Sequence, residues 1–233
     1  MFKYEMHVHS LPSGGGEDIE EHIRALIEKG YAGMVITNHF INGDTVIDRA
    51  LSWEAFVSVY REDYERGKRL ADALDFDLLF GIEEHIGQGR EILIYGVSPD
   101  FLEKNPILRS CELSQYVRLV HEAGGLVFQA HPYRARYYIS NPNPVDELDL
   151  LDGIEVYNAA NEPEENEKAA LLAKKKHLRC TAGSDGHSTR SVGRAGIATK
   201  ERITTNERLV EILKNGSYEL WIPDREKTEN QEV

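Results

Sequence analysis

The chain has 233 residues, of which 29% are charged and 41% hydrophobic, a balance typical of globular proteins. It carries 40 acidic and 27 basic residues, and this net charge of −13 disfavours a protein that holds nucleic acid through a basic patch. No apolar run approaches the roughly 20 residues that span a bilayer, the N-terminus does not resemble a signal peptide, and only two cysteines occur. We therefore expect a cytoplasmic protein with no membrane partner and no disulfide framework.

The N-terminal segment places two histidines two positions apart, at the end of a short strand-like run. Successive side chains of a strand point to opposite faces, so His7 and His9 share one face and Val8 takes the other. Two imidazoles on one face make half of a site for zinc or a similar metal. A pair of surface histidines near the terminus is the alternative, and the residues further along the chain decide against it.

Strand-like and helical patterns alternate along the rest of the chain, which predicts a mostly parallel sheet. About eight strand-like segments favour a closed α/β barrel over an open sheet. We expect one domain over residues 1–222 and a polar, disordered tail at 223–233. The predicted strands are 3–9, 33–38, 76–82, 91–97, 126–130, 153–157, 178–182 and 218–222, and the predicted helices are 18–29, 53–74, 113–123, 162–176 and 206–214.

Histidine and carboxylate residues recur where these predicted strands end, and barrel enzymes carry their sites at the C-terminal ends of the strands. Imidazole nitrogen and carboxylate oxygen are ligands of zinc, manganese and iron. The set exceeds the three protein ligands of a typical catalytic zinc, so it predicts two or three metals that share a bridging carboxylate. The residues at these strand ends are His7, His9, His39, Glu83, His131, Asp185 and His187.

Five short segments resemble, in order, the motifs of the polymerase and histidinol phosphatase (PHP) family, from residue 5 to about residue 215. The resemblance implies a distorted (β/α)7 TIM-like barrel and two to three divalent Zn, Mn or Fe ions that hydrolyse a phosphoester through metal-activated hydroxide. It also implies that His7, His9, Glu83 and Asp185 hold one metal, Glu83 and His131 a second, and His39 and His187 a third. The segments are His7-Val8-His9-Ser10, Thr37-Asn38-His39, Gly81-Ile82-Glu83, His131-Pro132 and Ser184-Asp185-Gly186-His187.

The chain departs from the family pattern at three places. Residues 13–16 read Ser-Gly-Gly-Gly where the family often has a Ser-Asp-Gly turn, and Asn38 stands where Asp is usual. A further histidine, expected after the fourth strand, corresponds to Ser98. Glu17 is therefore a candidate for the third metal, whereas His85 and Glu91 are both candidates for the second.

Together these observations predict a metal-dependent phosphoesterase that acts on a small phosphorylated metabolite or nucleotide. We assign catalytic roles to Glu83, Asp185 and His187, and we expect Arg134 to bind the substrate phosphate. The excess of acidic residues predicts little action on long nucleic acid. An amidohydrolase-type metal hydrolase and a non-catalytic metal-binding PHP module are the alternatives, and the sequence leaves the oligomeric state open.

Overall fold

The computed structural model describes residues 1–14 and 16–222. The predicted tail at 223–233 lies outside the described residues, so its disorder and the domain limit at 222 stay predictions. The strands are β1 (Phe2–Val8), β2 (Gly33–Ile36), β3 (Asp77–His85), β4 (Glu91–Tyr95), β5 (Leu126–Gln129), β6 (Gly153–Asn158), β7 (Arg179–Gly183), β8 (Gly196–Thr199) and β9 (Glu219–Trp221).

The five predicted helices form, and each starts and ends close to its predicted limits. Their ends carry the expected caps: Asp18 accepts from the backbone N–H of Glu20 and shares a capping box with Glu21, and Pro163 opens the first turn of its helix. Among the described residues, no helix has the length and apolar character needed to cross a membrane. The helices are α1 (Ile19–Glu28), α2 (Trp53–Ala73), α3 (Pro99–Lys104), α4 (Leu113–Glu122), α5 (Pro163–Lys176) and α6 (Asn206–Asn215).

The strands form one sheet in the order β7-β6-β5-β4-β3-β2-β1-β8-β9. β1 also packs against β7, and a parallel bridge joins Val8 to Gly186 just beyond the end of β7. Strands β1 to β7 therefore form a nearly closed barrel, and the predicted α/β barrel fold is confirmed. β8, which was not predicted, pairs antiparallel with β1, and β9 pairs antiparallel with β8.

The barrel is less parallel than predicted, because β4 runs antiparallel to both β3 and β5. Only residues 86–90 join β3 to β4, and a parallel crossover needs a dozen residues or more, so this pair can only be a hairpin. The reversal brings the first residue of β4, Glu91, to the barrel end where β3 finishes. Ser98, which follows β4, lies at the opposite end.

A register shift in β1 controls which of its side chains enter the barrel. Glu5 pairs with Met34 and Val8 pairs with Ile36, so three steps along β1 match two steps along β2. A bulge of this kind turns two successive side chains to the same face. Met6 consequently packs in an interior apolar cluster, and the next residue, His7, also faces inward.

Candidate metal centre

Glu83 lies at the centre of the predicted site and contacts four histidines. Its Oε1 atom is 3.1 Å from His7 Nε2 and 3.2 Å from His131 Nε2. Its Oε2 atom is 3.3 Å from His9 Nε2 and 3.0 Å from His39 Nδ1. Three different strands or their following loops therefore direct imidazoles at one carboxylate of β3, at the end of the barrel where β1, β2, β3 and β5 finish.

Asp185 and His187, which follow β7, complete the set of residues that the sequence predicted. Asp185 Oδ1 lies 3.1 Å from His9 Nε2 and 3.6 Å from His7 Nε2. The His187 ring stacks on the His9 ring with centroids 4.3 Å apart and, with His39, forms a group of three imidazoles. The structure thus brings all seven predicted ligands together, and their binding of metal stays a prediction.

Most ligand atoms of this cluster converge without hydrogen-bonding one another, as in a metal site; His131 Nε2 and Glu83 Oε1, 3.2 Å apart, are the hydrogen-bonded pair among the described ligands. His7 Nε2, His9 Nε2, His39 Nδ1 and Glu83 Oε2 are buried, and none has a hydrogen-bond partner among the described residues. A buried polar atom without a partner costs about 1–3 kcal/mol. Divalent cations between these atoms would satisfy them, so the residues present fit a metal cluster.

Charge within the cluster shifts its titrating groups in different directions. Burial opposes ionisation of Glu83, but His7 and His39 hold its pKa well below the usual range. Burial also opposes ionisation of His39, which lowers its pKa, but the charges of Glu83 and Glu91 outweigh this effect and raise the pKa to about 9. Burial and the adjacent His9 lower the pKa of His187 to about 4, so this ring is neutral and keeps a lone pair for a metal.

Two of the predicted ligands have strained backbone. His131 has φ of 26° and Asp185 has φ of 52°, values that residues with a side chain rarely adopt. Such conformations cost about 1–3 kcal/mol each and cluster at functional sites. Gly183 leads into this turn, where a Cβ would lie 2.3 Å from His7 Cβ, so only glycine lets β7 approach β1 this closely.

Among the residues left open for the second and third metals, the structure favours Glu91. Glu91 Oε1 lies 3.6 Å from His39 Nδ1, and Glu91 Oε2 lies 3.4 Å from His131 Nε2. One nitrogen of the His85 ring instead accepts from the turn, either Nδ1 from the backbone N–H of Gly87 or Nε2 from that of Gly89, since a neutral imidazole has one acceptor nitrogen. The correspondence of Ser98 to a ligand is wrong, because the reversed β4 carries that residue away from the site.

Glu17 is not in the candidate metal groups of the described residues, and its carboxylate accepts from the backbone N–H of Thr189. A different carboxylate, that of Asp44, lies beside Gly14. A Cβ built on Gly14 would lie 2.7 Å from Asp44 Oδ2, and Asp44 lines the cleft above the cluster together with His187.

Sequence reasoning missed Glu155, which orients the first histidine. Glu155 Oε1 lies 3.0 Å from His7 Nδ1, and Oε2 accepts from the backbone N–H of His131 and from Asn158 Nδ2. A carboxylate on the second nitrogen fixes the tautomer and raises the basicity of a metal-binding imidazole. The available signal was a charged residue inside the otherwise apolar predicted strand at 153–157.

A cleft of about 520 Å³ opens above the cluster and holds the predicted phosphate-binding residue. Arg134 is almost fully buried there, with Nη1 2.6 Å from Asp185 Oδ2 and further bonds to Asn158 and Asn161. Two aromatic side chains from the same loop stand at its rim, Tyr137 fully exposed and Tyr138 61% exposed.

Comparison with known proteins agrees with this geometry. A family model described as PHP-associated matches residues 163–218. A two-domain protein from Bacteroides vulgatus that contains a predicted PHP-like metal-dependent phosphoesterase has a TM-score of 0.70 at 17% identity, over 95% of this chain and 64% of that chain. The resemblance to the PHP family is confirmed. No curated protein matches the chain by sequence.

Two further solved structures share the fold of this chain. An amidohydrolase from Chromobacterium violaceum, with bound sulfate and no metal, has a TM-score of 0.61 at 17% identity, over 91% of this chain and 96% of that chain. Endonuclease Q, in complex with a 27-mer duplex substrate with an abasic lesion at the active site, has a TM-score of 0.60 at 14% identity, over 92% and 56%. At these identities the likeness shows the fold, which PHP-like metal-dependent hydrolases share with this chain.

The expectation of no long nucleic-acid partner is wrong. Endonuclease Q, which shares this fold, holds a duplex substrate at its active site. Net charge was a poor guide, because the charges that meet a phosphate are the local ones. In this cleft they are Arg134 and any cations held by the cluster, and bound cations are often the largest charges at a site.

Proposed function

We propose that the chain is a metal-dependent phosphoesterase with its centre at the cluster around Glu83. The observation that carries the proposal is the set of buried imidazole and carboxylate atoms that point into one space without hydrogen-bond partners. A buried guanidinium at the same cleft adds a group that recognises phosphate geometry. This combination of metal ligands and arginine suits phosphoester hydrolysis better than a purely structural metal site.

The assignment of ligands divides the cluster into three positions. His7, His9 and Asp185 form one group, with Glu83 beside them, and His131 joins Glu83 and Glu91 in a second. His39 and His187 form the third, next to His9. We assign one divalent cation to the first position, a second to the next, and a third to the His39–His187 position.

In such a centre, bound divalent cations supply a water of lowered pKa and stabilise the charge that develops on attacking and leaving oxygens. The chain's own residues position the reaction. Glu83 would contribute a carboxylate to both of the first two positions, Asp185 would hold a cation while it pairs with Arg134, and Arg134 would orient a phosphate oxygen. His187, half-buried at the cleft, would offer its neutral ring to the cation of the third position.

For the substrate we propose a nucleotide, either free or within a nucleic-acid strand. Tyr137 and Tyr138 carry the inference, because exposed aromatic rings at the rim of a phosphate cleft are suited to stack on a base. Base stacking contributes about 1–3 kcal/mol, which corresponds to about 5- to 150-fold in kcat/KM. Endonuclease Q, whose complex contains duplex DNA, shares the barrel.

The test compares turnover of adenosine monophosphate, a labelled oligonucleotide and glycerol phosphate by metal-loaded protein. Glu83→Gln should remove all three activities. Tyr138→Ala should lower kcat/KM for the two base-containing substrates by at least about fivefold and leave glycerol phosphate unchanged. Tyr138→Phe keeps the ring and is the matched control, which should behave as the wild type.

An amidohydrolase activity is the second candidate, because a solved amidohydrolase shares the barrel. A panel of amides and lactones, assayed with the same metal-loaded protein, separates the two functions. Turnover of that panel without release of phosphate from any ester would overturn the phosphoesterase proposal. Equal losses in Tyr138→Ala for all three phosphate substrates would overturn the base-stacking part alone.

A further inference from the structure

The two sides of the cluster differ in the atoms that they offer to a cation. On the β1 side, His7 and His9 supply two imidazoles, and Asp185 and the shared Glu83 supply two carboxylates. On the β4 side, Glu83 and Glu91 supply two carboxylates and His131 supplies one imidazole. The first group therefore offers as many imidazoles as carboxylates, whereas carboxylates outnumber imidazoles in the second.

Glu91 produces this difference through its two oxygens. One oxygen lies 3.6 Å from His39 Nδ1 and the other 3.4 Å from His131 Nε2. Glu83 divides its oxygens between the same two histidines, at 3.0 Å and 3.2 Å. Two carboxylates thus face His131 on the β4 side, and both also approach His39, which belongs to the third position.

We propose that Glu91 is a metal ligand and that it makes the β4-side position relatively selective for an oxygen-preferring cation of the Mn²⁺ class. The β1-side position, with His7, His9 and Asp185, then takes Zn²⁺ in preference. This inference rests on the proposed metal centre, and it adds that the centre is a mixed-metal one whose asymmetry is set by a single residue.

The physical reason is that the two positions differ in their relative affinity for Zn²⁺ and Mn²⁺. It does not require either position to bind Mn²⁺ more tightly than Zn²⁺. Zn²⁺ binds most protein sites more tightly than Mn²⁺, following the Irving–Williams order. Imidazole ligands increase the affinity advantage of Zn²⁺ over Mn²⁺, whereas carboxylate ligands suit Mn²⁺, the harder ion, and reduce that advantage. When both ions compete for a limited number of positions, Mn²⁺ therefore concentrates where carboxylates replace imidazoles.

The reversed direction of β4 makes the position of Glu91 specific. Glu91 is the first residue of the strand and pairs with His85 across the hairpin, so its side chain enters the barrel mouth. The His85 ring instead lies against the turn, with the backbone N–H groups of Gly87 and Gly89 3.3 Å and 3.1 Å from its nitrogens. Glu91 thus reaches the cluster from β4, opposite Glu83 of β3.

The experiment equilibrates metal-free protein with equal, limiting concentrations of Mn²⁺ and Zn²⁺ and crystallises it. Anomalous scattering at the manganese and zinc absorption edges then gives the occupancy of each ion at each position, without reference to turnover. The wild type should show manganese enriched on the β4 side. Glu91→His should raise the zinc-to-manganese ratio there by about tenfold, within the 10- to 100-fold range by which groups around a site alter metal affinity.

Glu91→Asp is the matched control, since it keeps a carboxylate and should keep the manganese enrichment. The β1-side ratio should stay constant in all three proteins. Equal ratios on the two sides of the wild type, or no change in Glu91→His, would overturn this inference and leave the phosphoesterase proposal intact. Protein that binds neither ion at any position would overturn both.

Discussion

The barrel interior has two layers that differ sharply in chemistry. Towards the closed end, large apolar side chains such as Met6, Leu79 and Phe128 fill the space completely. One step along the same strands, at the mouth, imidazoles and carboxylates such as His7 and Glu83 are buried just as deeply. The fold thus places a polar layer, whose burial opposes folding, directly on an apolar layer, whose burial stabilises the folded state.

The difference shows which layer stabilises the fold and which one serves function. A fully buried apolar side chain contributes roughly 1.5–3 kcal/mol. A buried ion pair often gains little, because the loss of hydration offsets the attraction between the charges. The mouth also carries the left-handed backbone of His131 and Asp185. We infer that the lower layer and the surrounding helices stabilise the barrel, while the upper layer is kept for its ligands.

The largest predicted effect separates two adjacent carboxylates. Glu83→Gln should abolish hydrolysis and weaken metal at two positions, because an amide carries no charge and bridges poorly. Glu84→Gln should keep nearly full activity, since Glu84 faces away from the cluster and accepts from Asn42, a bond that glutamine can retain. Steady-state kinetics and metal content of both variants test this, and equal losses in the two would contradict the assignment of Glu83.

A mutation in the apolar layer should have the opposite signature. Phe128→Ala should lower the free energy of unfolding by about 3–5 kcal/mol through lost burial and a cavity. Glu83→Gln in metal-free protein should change that free energy far less. Denaturant unfolding in the presence of a chelator measures both. A larger loss of stability in Glu83→Gln than in Phe128→Ala would refute the division of roles between the layers.

A smaller effect is expected from Glu155, which contacts the His7 ring and the backbone N–H of His131. Glu155→Gln should reduce metal affinity at the β1 side by about 10- to 100-fold, as loss of the group that orients a ligand typically does. Calorimetric titration with Zn²⁺ measures it. Unchanged affinity at both sides of the cluster would show that His7 needs no such partner.

Most of the candidate site could be predicted because its residues follow predicted strands. His39, His131 and Asp185 each come shortly after one of the parallel strands of the barrel. Because parallel strands end at the same side of a barrel, their positions in the sequence were enough to predict that they lie close together. The alternation of strands and helices likewise predicted the barrel. The short strand β8 (Gly196–Thr199) was missed, since four residues between glycine and polar segments give little periodicity.

Strand direction and local register decide what the sequence left open, the choice between Glu91 and His85, and what it missed, Glu155. Glu91 enters the site only because β4 is reversed, and the same reversal removes Ser98. Glu155 lies inside β6 rather than after it, where a register shift between Glu155 and Tyr157 changes which side chains face the mouth. Linear patterns carry neither piece of information, because both arise from how one strand pairs with the next.

The central claim is that the polar layer at the mouth is a metal centre, and metal content tests it most directly. Protein freed of metal, reconstituted with Zn²⁺ and Mn²⁺ and washed of excess, should contain two to three ions per chain by elemental spectrometry, in line with multi-metal hydrolase sites. Glu83→Gln should contain at least one ion fewer. Wild-type protein that retains no ion after reconstitution would contradict the account.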